Sequence, residues 1–80
     1  MPGVIEDMPF EARMQRMREI AEELVALLRQ MGSMDVMEAL RKAAGHLRVA
    51  ISQVKYGLSY ALSNSMVTLS KDETQLSVAA

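Results

Sequence analysis

Along the first third of the chain, apolar residues recur at alternating steps of four and three: Phe10, Met14, Met17, Ala21, Leu24, Leu28 and Met31. That spacing is one face of an amphipathic helix. Ile20, Val25 and Leu27 widen the stripe, and Glu11, Gln15, Glu19, Glu22, Ala26 and Gln30 occupy the opposite side. Asp7, Pro9 and Glu11 supply a capping oxygen, a first-turn proline and negative charge at the positive helix end, so helix one is predicted over about 9–31. Gly32 can adopt the positive φ that closes a helix, Ser33 can cap a second one, and Asp35 and Glu38 suit its N-terminus. The linker of about two residues predicts antiparallel neighbours, with a single kinked helix as the competing reading.

The second periodic segment runs from about 34 to 62. At 100° per residue, Leu40, Ala44, Leu47, Ile51, Val54, Leu58, Ala61 and Leu62 share one face and point to helix one. Arg41, Arg48 and Lys55 form a stripe along one edge, followed by a strip of small residues, Gly45, Ser52, Ser59 and Ser63. Nearly opposite the core lie Val49, Tyr56 and Tyr60. One helical hairpin covers only one of these two apolar sides. The expectation is therefore an all-α antiparallel helical hairpin that assembles as a homo-oligomer, most simply a dimer of hairpins in a four-helix bundle, with Val49, Ser52, Tyr56, Ser59, Tyr60 and Ser63 at the interface. Alternatively the tail, residues 63–80, folds back and covers the patch with Val67, Leu69 and Leu76. Ser70 and Glu73 match a capping box, so that tail reads either as a short helix from about 71 or as an unstructured end.

Composition narrows the function. Eighty residues make a single domain near the size where one core is marginal, which again favours self-association. The formal net charge of -1 gives no general attraction to polyanions. No cysteine is present, which removes disulfides, thiolate metal sites and cysteine nucleophiles. The N-terminus lacks the pattern of a secretory signal, and the longest uncharged run, 56–70, falls short of a membrane span, so a cytoplasmic protein is expected. Eight methionines against one phenylalanine suit an adaptable contact surface.

His46 stands alone, with no second metal ligand and no nucleophile partner; its reading is a surface residue near Glu19 or Glu22. Met31, Met34 and Met37 have a spacing that could suit monovalent copper, but they serve better as apolar plugs at the hairpin tip. Arg13 and Arg16 fall at the height of residues 49–52, and with Arg41, Arg48 and Lys55 they form a candidate anion site beside the tyrosines. Neutral net charge and the absence of helix-turn-helix spacing argue against duplex DNA.

The segments EELVALL and AAGHLRVAISQVKYGLSYAL, in the order proline-started helix then second helix, resemble small phage proteins that counter cyclic-nucleotide antiviral signalling. The likeness covers about residues 9–62. It implies a helical homo-oligomer acting as a sponge for signalling nucleotides. The chain lacks the Gly-Phe-Met run of that family's second helix and has a shorter linker, so no binding residue carries over. The function expected from the residues is a non-enzymatic interaction protein without cofactor, which binds a partner protein and blocks or tethers it. The alternative is a binder of small anionic nucleotides.

Overall fold

Pro9 and Gly32 bracket the first helix. Helix α1 spans Phe10–Met31; the Arg13 amide donates to the Pro9 carbonyl at 2.8 Å, and Gly32, at φ 79°, donates to the Leu28 carbonyl at 2.7 Å. Asp7 does not cap it, because it lies in a 3-10 turn over Ile5–Asp7. The computed structural model describes residues 4–79. Ile20, Ala21, Leu24 and Leu28 are buried, whereas Phe10 and Met31 at the two ends are exposed.

After Gly32 the chain is extended. Strand β1 is Met34–Asp35, and helix α2 follows directly over Val36–Leu47. Asp35, rather than Ser33, caps α2: its Oδ2 accepts from the Glu38 amide at 3.2 Å. Helix α2 then stops. Arg48 takes the left-handed conformation at φ 58°, and the Val49 amide reaches back to the Ala44 carbonyl at 3.1 Å, the bond of a Schellman closure. Ala50 is extended, and α3 runs over Ile51–Ser63. Strands β2 (Val67–Leu69) and β3 (Gln75–Val78) complete an antiparallel sheet of order β1-β3-β2, with Met34 opposite Leu76 and Val67 opposite Val78.

The expected all-α helical hairpin and its four-helix bundle are thereby overturned: three helices and a three-stranded sheet make a mixed α/β fold. The reason lies at 48–50. No glycine or proline marks the break, so the heptad phase of Leu40, Ala44, Leu47, Ile51 and Val54 passes through it unchanged. A straight rod would leave one apolar side in water, whereas bending it brings both halves to one core. Val49 and Tyr60 are half-buried against that core, so the second apolar face that called for a homo-oligomer does not exist as a continuous surface. The helix expected from 71 is instead the β2–β3 turn. Ser70 Oγ accepts from the Thr74 and Gln75 amides at 3.3 and 3.1 Å, so the chemistry resembling a helix cap closes a hairpin.

The core draws on every element, through Ile5, Leu24, Leu28, Met34, Leu40, Val54, Val67 and Leu76. Among the described residues no polar side chain is buried outright. Each fully buried aliphatic side chain is worth about 1.5–3 kcal/mol, so Val67 and Leu76 make the last third of the chain part of the fold. Helix α3 meets α1 at Gly57, where a Cβ would overlap Ile20 Cβ and Cγ2 and stand 3.3 Å from the Ala21 amide nitrogen. Among the described residues, no helix is long and apolar enough to cross a membrane.

Candidate functional site: the outer face of the third helix

Val54, Gly57 and Ala61 turn α3 inward. Helical spacing then leaves Ser52, Lys55, Tyr56, Ser59 and Ser63 on the outside, all exposed. Two grooves flank this strip. One, of about 300 Å³, is lined by Glu6, Ser52, Lys55, Tyr56 and Ser59. The other, of about 250 Å³, is lined by Met14, Met17, Tyr56, Ser59, Tyr60, Ser63 and Asn64. Tyr56 and Ser59 form the ridge between them. Arg18 Nε donates to the Tyr60 hydroxyl at 3.4 Å, and that bond holds the guanidinium pKa above its ordinary value.

Of the expected interface residues, Ser52, Tyr56, Ser59, Tyr60 and Ser63 come together along α3, while Val49 sits apart in the α2–α3 turn. The expected cations do not converge on one pocket. Arg13 is half-buried on α1, its Nη2 donating to the Met8 carbonyl at 3.3 Å and its Nε without a hydrogen-bond partner among the described residues. Arg16 pairs with Glu19 at 3.3 Å. Arg41 stays on α2, Arg48 forms the turn and Lys55 lies on α3, because the break splits the stripe. Lys55 alone of the five lines either groove described above. His46 Nδ1 lies 2.7 Å from Glu23 Oε2, one residue from the acid expected. Among the described residues no group of three histidine, aspartate or glutamate side chains is placed to hold a metal ion.

Charge is sorted along the chain in a way the overall balance hides. Residues 39–71 contain no aspartate or glutamate and hold Arg41, Lys42, Arg48, Lys55 and Lys71. Those five positive charges stand against a balance of six negative charges in the rest of the chain. The acid-free segment takes in α2 after its first turn, which carries Glu38, then the turn, α3 and β2, and it ends at Lys71 in the β2–β3 turn, where Asp72 and Glu73 follow. Lys42 and Lys71 were missed by helical-wheel reasoning, although the run without acids was open to inspection.

Two helices joined by the three-residue turn Arg48–Ala50, followed by a β-hairpin, form a helix-turn-helix with a wing. The spacing judged absent from the sequence is present, with arginine in the left-handed position that glycine more often fills. No family model matches the chain, and no curated protein matches it. A chain in the solved complex Dcn1(P)-Cdc53(WHB), described as a dual E3 mechanism for Rub1 ligation to Cdc53, is similar with a TM-score of 0.71. The similarity covers 92% of this chain and 98% of that chain at 12% identity. At that identity the likeness establishes the fold, a winged helix, and nothing about ligand.

Proposed function

We propose that the chain is a non-enzymatic binding module whose partner is duplex DNA, with α3 as the inserted element and the turn and wing as its flanks. The observation that carries this reading is the acid-free run 39–71, with Arg41, Lys42, Arg48 and Lys55 on the helix-turn-helix and Lys71 entering the wing tip ahead of Asp72 and Glu73. The major groove of B-form DNA, about 12 Å wide, admits a helix, whereas the A-form RNA major groove is too deep and narrow for side chains to read. The exposed strip of α3 suits the task. Ser52 and Ser59 can donate to or accept from base edges and phosphates, and Lys55 supplies charge.

The test is fluorescence anisotropy with a labelled random-sequence duplex of about 20 base pairs in 50 mM salt. Non-specific binding of this kind has dissociation constants of roughly 10⁻⁴–10⁻⁶ M at physiological salt and is tighter at 50 mM. Lys55→Glu is expected to weaken it about tenfold, and a duplex RNA competitor to displace the DNA poorly. A wild-type protein with no measurable affinity at 50 mM salt would overturn the reading.

A second reading, a protein partner that the module blocks or tethers, is favoured by the groove on the α1 side. Met14 and Met17 give adaptable thioether surface and Tyr56 and Tyr60 give rings with hydroxyls at their ends, a combination common at protein contacts. The similar winged-helix structure was itself solved as a complex of two proteins. Met17→Gln separates the readings: it removes the thioether surface without adding charge beside α3, so it weakens capture of a protein through this groove and leaves duplex affinity within about twofold.

A further inference from the structure

We infer that the N-terminal segment is part of the binding face, and that Glu6 lowers its affinity for a polyanion by holding a carboxylate beside Lys55. This rests on the duplex-DNA reading of α3. Ile5 anchors the segment, being 1% exposed within the core. Its amide donates to Gln53 Oε1 at 2.7 Å, and Gln53 Nε2 donates in turn to Glu6 Oε1 at 3.2 Å. Both ends of the Gln53 amide are therefore engaged within the protein.

Gln53 lies in the first turn of α3, where a helix in the major groove presents side chains to base edges, and a free glutamine there can bond adenine through both ends of its amide. The strap withdraws that amide and sets the Glu6 carboxylate in the groove with Ser52, Lys55 and Tyr56. The run 39–71 contributes no acid of its own, so this negative charge comes from 47 residues away in sequence. A carboxylate a few ångströms from the phosphate path opposes binding and offsets part of what Lys55 contributes.

The experiment compares Glu6→Gln with Glu22→Gln on the exposed face of α1, which makes the same change in formal charge. Glu6 is exposed, and the glutamine oxygen still accepts from Gln53, so folding is not at stake. With the random-sequence duplex at 50 mM salt, Glu6→Gln is expected to bind about threefold tighter, the effect of one unit charge at roughly 6 Å in a water-like medium. Glu22→Gln should change affinity by less than half of that. Equal affinity of Glu6→Gln and wild type, or an equal gain in both variants, overturns the inference and leaves the duplex reading standing. Failure of wild type and Glu6→Gln alike to bind overturns the duplex reading, and the inference with it.

Discussion

Gly57 is a point of tight contact between α3 and α1, and the need for glycine there is steric rather than conformational. A methyl group there would overlap Ile20 Cβ, an atom that no rotamer change can move, on a side chain with no exposed surface. The helices must separate or the core must shift. Overpacking costs about 1–3 kcal/mol, and alanine returns up to about 1 kcal/mol in helix propensity. Gly57→Ala should therefore lower stability by about 1–2 kcal/mol and Tm by roughly 5–15 °C, read by circular dichroism melting. Arg48 poses the opposite case, since its left-handed backbone at φ 58° costs a non-glycine residue about 1–2 kcal/mol. Glycine relieves this and gives back about 0.5–1 kcal/mol of chain entropy. Arg48→Gly is expected to stabilise the fold by about 0.5–1 kcal/mol in urea titrations while weakening duplex affinity. Stability and binding moving in opposite directions would mark Arg48 as retained for its charge.

At the scale of elements, legibility in the sequence followed the strength of local chemistry. The span of α1 is readable because proline and glycine flank a long periodic stripe. The α2–α3 break is not, because the residues around it are unremarkable helix formers and the cost of the turn is met by tertiary burial. The wing was hidden differently: the Ser70 and Asp72 side chains accept from the Thr74 and Gln75 amides in a hairpin turn, as they would at a helix N-terminus. Of the site, the serines and tyrosines of α3 could be picked from the wheel, but Glu6 and Gln53 meet only through folding. Leu76 tests whether the tail belongs to the fold. It is fully buried opposite Met34, and Leu76→Ala should cost about 2–5 kcal/mol, a large share of the roughly 4–12 kcal/mol expected for a chain this size. The wing turn has its own pH signature. Ser70 Oγ and Thr74 Oγ1 donate to Asp72 Oδ1 at 2.6 and 2.8 Å, and these bonds, with the Thr74 amide, hold the Asp72 pKa below its ordinary value. A lowered native pKa means the contribution is complete above the unfolded value of about 3.9 and is lost as pH falls through the native one. The Thr74 and Gln75 amide resonances should therefore hold their positions at pH 4 and move only in stronger acid; Asp72→Asn should lose that transition.

For the whole molecule, the sorting of charge matters more than its sum. A net charge of -1 says little when residues 39–71 hold five cations and no acid, and Glu38, Asp72 and Glu73 stand just outside that run. Salt dependence measures how many of the five meet phosphate, because each neutralised phosphate contributes about -0.9 to the slope of log affinity against log salt. Engagement of Arg41, Lys42, Arg48, Lys55 and Lys71 together would give a slope near about -4.5, and replacing any one with glutamine should reduce it by about 0.9. Arg16 lies on α1 and is paired with Glu19, so Arg16→Gln should leave the slope unchanged. The comparison is informative because all these variants alter net charge equally and differ only in where the charge sits. A slope that drops by the same amount for Arg16→Gln as for Lys55→Gln would mean that the protein attracts DNA by its overall charge, and would remove α3 from its assigned role. No measurable duplex binding by the wild type, together with a captured protein that Met17→Gln alone releases, would move the partner to the α1-side groove and make it a protein.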